Sequence, residues 1–412
     1  MNLLPIEQVR AILAQHCQAG SALSQPTPIG QALGKVLALP VAAPLNVPPH
    51  DNSAMDGYAF NHAELLQRHG NQGVWQVPVA SRRHAGQAQP LACPPGQCVQ
   101  VMTGAVMPQG TDTVVPQEQV QAHNGHASWD AQAVRQGANR RLCGEDLTQG
   151  HTMLAGGRVL RPADVGLLAS VGLAQVAVRP PLRVAFFSTG NELRDVGQPL
   201  PEGCIYDSNR YTMAAMLHTL GVQAIDLGIV PDDPAALRDA FAQAGAQADV
   251  VITSGGVSVG EADHTKAVMR ELGDVAFWQI AIQPGRPMAF GRMHNGPLLF
   301  GLPGNPVAVM VTFYVLVRPA LLTLMGATAE ADVGYHAVAA ETLRKKPGRT
   351  EFRRGVIARS ASNQWQVRTT GGMGSGILRS MSEANCLIEL SADTTEVSPG
   401  QWLTVWPFDG LS

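Results

Sequence analysis

The amino-acid sequence predicts a multidomain α/β protein: a doubly wound, mostly parallel α/β sheet domain, two small β domains and a split helical domain. Three observations carry this expectation. Strand-like apolar runs, glycine loops and capped amphipathic helices alternate across residues 179–328. Short apolar runs broken by Gly, Pro and Asn fill 48–141, and polar alternation with turns fills 329–412. Helical patterning in 1–47 and 142–178 flanks the first β region, which makes that region an insertion.

The elements follow in order. Ile6, Val9 and Leu13 share one helical face behind Pro5, which suits a first turn. The runs VWQVPVA, CVQVM and DTVVPQEQV read as short strands, and 162–171 reads as helix again. RVAFFS leads into Ser188, Thr189 and Gly190 as a strand and its turn. Asp207 is an expected N-cap for a helix with Met213, Met216, Leu217 and Leu220 on one face and Gly221 at its end. The unit then repeats: AIDLGIV, Asp233 and Pro234 as cap and first turn, then Leu237, Ala240, Phe241 and Ala244. DVVITSGG and LLFGLPGN are continuous apolar runs ending in glycine loops, as strands buried on both faces require, and Asn305-Pro306 offers a further cap. EFRRGVIARS, QWQVRTT, CLIEL and WLTVWPF form the expected C-terminal β barrel.

A chain of 412 residues suits two to four domains, and 45% apolar with 15% charged residues excludes a chain held open by charge. Lys plus Arg total 29 against 32 Asp plus Glu, a net charge of −3, so no global basic field gathers nucleic acid or an anionic membrane. Six cysteines (Cys17, Cys93, Cys98, Cys143, Cys204, Cys386) form no CxxC pair, which points to a reducing cytoplasm rather than a disulfide framework. The first sixteen residues do not pattern as a signal peptide. The apolar run at 307–317 stops at Arg318 and Pro319 and is expected to be a buried helix.

Ligands of open α/β sheets sit beyond the carboxyl ends of the strands. Three glycine loops fall there, at 188–190, 253–256 and 301–305, with backbone N–H groups suited to phosphate or another anion. None matches GxGxxG or a Walker loop, and there is no HExxH. The accompanying carboxylates Glu192, Asp232, Glu261 and Asp263 suit either Mg²⁺ beside substrate phosphates or helix capping. The polar loop 48–58 suits either a site or Asx turns. The basic stretch 344–354, with six cations and one acid, suits an anion funnel or a solvated face.

These residues resemble a known family, the molybdopterin molybdenumtransferases, related to the gephyrin C-terminal domain. The likeness spans essentially the whole chain. It rests on DNSAMDGYA (51–59), VMTGAVMP (101–108), RRLCGEDL (140–147), FSTGNEL (187–193), YDSNR (206–210), TSGGVSVGEADH (253–264), QPGRPMAFG (283–291) and GLPGNPVAV (301–309).

The resemblance implies an elongated homodimer of four-domain chains, with clefts shared between the sheet domain of one subunit and the inserted β domain of the other. The implied reaction joins adenylylated molybdopterin and molybdate to give molybdenum cofactor and AMP, with Mg²⁺. The family's functional positions fall on Asp56, Thr103, Asp146, Glu192, Asp232 and Asp263, with Glu192 and Asp263 as the metal ligands. Substrate-binding positions fall on Ser254, Gly255, Gly256, Ser258, Pro303, Gly304, Asn305, Arg354 and Ser375. Implied partners are a molybdopterin adenylyltransferase and apo-molybdoenzymes or their chaperones, with no nucleic acid and no membrane. The chain departs from the family pattern at Asn191, where Asp is usual, and at Gln279 and Gln283, where lysine is usual, with Arg286 in place of a lysine between Gly285 and Pro287. An adenylyltransferase and a gephyrin-like scaffold or carrier are the competing readings.

Overall fold

A computed structural model describes residues 3–20, 23–87, 89–257, 264–294, 296–328, 334–372 and 374–408. The sheet domain holds six strands in the order Gln223–Val230, Arg183–Thr189, Val250–Ser254, Leu298–Leu302, Pro287–Met293, Gly273–Gln279. The first four run parallel; Pro287–Met293 runs antiparallel to them, and Gly273–Gln279, antiparallel to it, returns to the direction of the first four. Alternate residues of Arg183–Thr189 enter different cores: Val184 and Phe186 on one face, Ala185 and Phe187 on the other. Burial on both faces explains the unbroken apolar run.

The helices cap as their sequences require. Asp233 accepts from the N–H groups of Ala235 and Ala236 to start Pro234–Gln247, which buries Leu237, Ala240, Phe241 and Ala244. Asp207 accepts from Arg210 N at the start of Ser208–Thr219. Asn305 differs from expectation: its side chain makes no cap hydrogen bond to Pro306–Thr312. Among the described residues Pro306–Leu324 is one helical stretch long and apolar enough to cross a membrane, but Val307, Val309, Phe313 and Leu316 lie in the sheet-domain core.

Outside the sheet domain, the inserted region forms a sheet ordered Thr113–Pro116, Gly57–Phe60, Cys98–Val101, Val74–Arg83, His126–Asp130, Gln121–His123. The C-terminal region is a closed barrel, because Thr350–Arg359 pairs with both Trp365–Thr369 and Cys386–Leu390. Ile282–Gln283 adds to it in parallel at Thr350 and Glu351, which ties the barrel to the sheet domain.

Between these lies the segment pair read as a split helical domain. Gln25–Pro28 pairs with Gln175–Val178, Val41–Ala42 with Thr152–Leu154, and Pro162–Ser170 is its α-helix. Ile6–His16 packs elsewhere. Its Ile6, Val9 and Leu13 stripe joins Met288 and Phe290 in the sheet-domain core, and Leu4 exchanges backbone bonds of 2.8 Å with Gln279 and Ala281. A three-residue stripe needs a broad apolar face, which the sheet offers and the short strand pairs do not.

Candidate active site

The strand order reverses between Arg183–Thr189 and Val250–Ser254, so the loops beyond their carboxyl ends diverge and leave a crevice. A cavity of about 1000 Å³ opens there, bounded on its far side by the barrel residues Glu351, Phe352, Arg354 and Ser375. Gly255 (φ +93°) and Gly256 (φ +66°) adopt backbone conformations that glycine favours, and a Cβ on Gly255 would stand 2.6 Å from the Thr189 carbonyl oxygen. Asn209 joins two glycine loops by donating from Nδ2 to Ser254 Oγ at 2.8 Å and to the Gly304 carbonyl at 2.7 Å.

Charge is ordered along the sheet. Asp232 follows the edge strand and Glu192 follows its neighbour; the glycine loops follow the next two strands, and Arg286 precedes the fifth. At about 4.8 Å per strand, the strand ends next to Asp232 and Arg286 are roughly 19 Å apart. Glu351 and Asp207 also line the cavity but are matched internally: Glu351 by Arg353 at 3.1 Å, Asp207 by Arg210 at 3.6 Å and by Ser188 Oγ at 3.0 Å. Arg354 is buried, with Nε donating to Ser380 Oγ and Nη2 to the Gly372 and Gly374 carbonyls. Burial pushes its guanidinium below the ordinary value, an effect that Glu351 opposes.

Four buried side-chain oxygens at the cavity have no hydrogen-bond partner among the described residues: Asp207 Oδ2, which faces Arg210 Nε at 3.6 Å, and Thr189 Oγ1, Asn209 Oδ1 and Asp232 Oδ1, which have no ion pair either. Buried polar atoms are normally satisfied, so the last three await a ligand's donors or a cation. Glu192 and Asp232 are hard oxygen donors that suit Mg²⁺, which needs one or two carboxylates when substrate phosphates complete its shell. No group of three His, Cys, Asp or Glu side chains suited to a metal occurs among the described residues, unlike a structural zinc site.

Of the residues singled out in the sequence, the cavity therefore collects Glu192, Asp232, Ser254, Gly255, Gly256, Pro303, Gly304, Asn305, Arg354 and Ser375. Ser258, Glu261 and Asp263 lie outside the described residues. Asp56 and Thr103 are joined to each other, Thr103 N and Oγ1 both donating to Asp56 Oδ1 at 2.6 and 2.8 Å. They and the exposed Asp146 lie in the inserted domain and its margin and do not line this cavity. Gln283 lines it and Gln279 does not.

One reading changes, and one residue was missed. The basic stretch 344–354 is not one funnel: Arg344 pairs with Glu396, Lys345 Nζ donates to three carbonyls, Arg353 pairs with Glu351 and Arg354 points inward. Asn209 was legible only as part of YDSNR, and its position at a helix start after a strand-end turn was the available signal. No cysteine lines the cavity, and burial pushes the thiols of Cys17, Cys98 and Cys386 up to about 11, 12 and 12.

Comparison with known proteins agrees across the chain. Residues 4–172 match the MoeA N-terminal region (domain I and II), 185–323 a probable molybdopterin binding domain, and 336–408 the MoeA C-terminal region (domain IV). The chain is 41% identical over 382 residues to the molybdopterin molybdenumtransferase of Haemophilus influenzae, covering 92% of this chain and 93% of that one. It is 36% identical over 411 residues to molybdopterin molybdenumtransferase 2 of Mycobacterium tuberculosis, covering 97% and 98%. The crystal structure of the molybdopterin biosynthesis moeA protein from Pyrococcus horikoshii OT3 superposes with a TM-score of 0.82 at 25% identity, covering 98% of this chain and all of that one. Eight motifs, three consecutive domain matches and a sheet-end cavity with opposed charges agree, and the chain belongs to the molybdopterin molybdenumtransferase family.

Proposed function

We propose that this chain inserts molybdate into adenylylated molybdopterin, releasing AMP and forming molybdenum cofactor. The ordered charge along the sheet carries the reading. An elongated substrate with a phosphoanhydride toward one end and a dithiolene that meets an oxyanion toward the other matches carboxylates at Asp232 and Glu192, amide-rich glycine loops between, and Arg286 with the barrel residues beyond.

Glu192 and Asp232 would hold Mg²⁺ against the phosphates. Bound there, the ion would stabilise negative charge on the departing AMP. The backbone of 254–256 and 303–305 would hold phosphate oxygens, and Asn209 keeps those two loops at a fixed separation. Arg286 and Ser375 would receive molybdate. Arg354 shapes that end by holding the Gly372 and Gly374 carbonyls as well as by its charge. The receiving sulfurs belong to the substrate, consistent with a cavity that has no cysteine.

The same reading includes a homodimer. Asp56 and Thr103 form an ordered pair outside this chain's own cavity, which supports their serving a partner's cavity together with Asp146. It also includes a cytoplasmic location and exchange with a molybdopterin adenylyltransferase and with apo-molybdoenzymes or their chaperones.

Incubation with adenylylated molybdopterin tests the function. Molybdate-dependent AMP release supports it; ATP consumption would point to an adenylyltransferase, and neither reaction to a scaffold.

A further inference from the structure

A second cavity, of about 580 Å³, lies at the opposite end of the sheet, beside the starts of the parallel strands. Its lining includes Arg179, Arg183 and Arg292 and a single acid, Asp249. That acid is already spent. Arg183 grips it bidentately, Nε to Oδ2 at 3.2 Å and Nη2 to Oδ1 at 2.7 Å, and its backbone N–H donates to Oδ2 at 3.0 Å. Two guanidiniums therefore remain without a carboxylate among the described residues. Arg292 has one bond, from Nη1 to the Gly296 carbonyl, and Arg179 has one long bond, from Nη1 to the Gly20 carbonyl at 3.5 Å.

Arg179 is also closely packed without being satisfied. Its side chain lies across Gly326 (φ +74°), where a Cβ would stand 2.3 Å from Nε and 2.4 Å from Cζ. Nε is buried and has no partner among the described residues. A guanidinium packed against backbone with unspent donors, in a planar fork already formed, is suited to an anion. Pro181, Leu182, Leu298 and Leu324 supply apolar wall, and the volume falls within the range of small-molecule sites.

We propose that this cavity is a second anion site that binds a phosphate dianion, free or carried on a small organic body. The location suggests what occupancy would do. Arg179 directly follows the strand Gln175–Val178 of the split domain, Arg183 opens the first strand of the sheet domain, and Arg292 sits on the antiparallel strand Pro287–Met293. A dianion shared by these residues would fasten the joint between the two domains, far from the charged crevice at the strands' other end.

Phenylglyoxal modification of the full-length protein, mapped by mass spectrometry, tests this on the wild type. Saturating inorganic phosphate should slow modification of Arg179 and Arg292 by about tenfold, while the exposed Arg344 reacts unchanged. AMP protecting at lower concentration would identify an ester as the occupant; AMP no better than phosphate would identify the free ion. Rates at Arg179 and Arg292 that neither probe slows would overturn the site. Calorimetric titration with phosphate gives a second test: Arg179→Gln with Arg292→Gln should lose one equivalent of binding that Arg286→Ala keeps, and unchanged stoichiometry in the folded double variant would also overturn it.

Discussion

Thr103 gives both its backbone N–H and its hydroxyl to one oxygen of Asp56. These bonds, the backbone one first, hold the Asp56 carboxyl below the ordinary carboxylate range. A carboxylate with a lowered pKa stays ionised as pH falls, so activity that needs the ionised form is lost only at lower pH. Thr103→Val removes one donor and leaves the backbone N–H, so the acid limb of the AMP-release profile should move partway up in pH. Thr103→Ser should leave it in place. A limb that does not move in Thr103→Val would show that Asp56 ionisation does not govern turnover.

Asp56→Asn and Glu192→Gln chains should each be inactive as homodimers yet recover activity when co-expressed, because the heterodimer keeps one intact shared site. Purified heterodimer should turn over at about half the wild-type rate. Heterodimers no more active than either parent would place Asp56 outside the partner's cavity.

Asn209→Asp replaces the donor that joins Ser254 Oγ to the Gly304 carbonyl with an acceptor, which the Ser254 hydroxyl can turn to meet and the Gly304 carbonyl cannot. Leaving such a pair unmatched costs about 1–3 kcal/mol. The expected loss in kcat/KM is roughly 10- to 100-fold. Asn209→Ser, a smaller change without the charge, should lose less. Equal losses in the two variants would show that charge facing the loops is not the cause.

Gly255→Ala and Gly304→Ala should separate stability from binding. The first forces a side chain into φ +93° and within 2.6 Å of a carbonyl oxygen, so unfolding free energy should fall by about 1–3 kcal/mol. At Gly304 the nearest atom to an added Cβ is 3.9 Å away, so the fold should hold while the methyl group intrudes on the cavity and weakens AMP binding. Denaturant melts and equilibrium dialysis with AMP measure the two effects.

Gln283→Lys should lower the molybdate concentration for half-maximal insertion by several-fold, because charge-assisted bonds are about twice as strong as neutral ones. Added salt should shrink the gain. Gln279→Lys should change nothing, since that residue lies outside the cavity. A gain from Gln279→Lys alone would contradict the placement of the oxyanion end.

Local chemistry made much of this molecule legible. Asp233 and Pro234 start a helix wherever they stand before Leu237, Ala240, Phe241 and Ala244, and Val250–Ser254 must be covered on both faces because every side chain in it is buried. The glycine loops could likewise be assigned to strand ends, since only glycine tolerates φ +93° beside the Thr189 carbonyl. Ile6–His16 shows the boundary of such reasoning: its amphipathic stripe demanded an apolar surface without specifying which one.

The motifs by themselves determined the family, the alternating strand and helix order and most of the residues around the cavity. Tertiary structure decided their relations. Strand order, not chain order, set Asp232 and Glu192 at one end and Arg286 at the other, and it brought Arg354 and Ser375 from the barrel to the same crevice. It also dispersed the basic stretch 344–354, turning Arg354 inward while Arg344 faced Glu396. Periodicity and turn chemistry act over a few residues and are written in the sequence; electrostatic neighbours are distances in space, which exist only after the strands have chosen their partners.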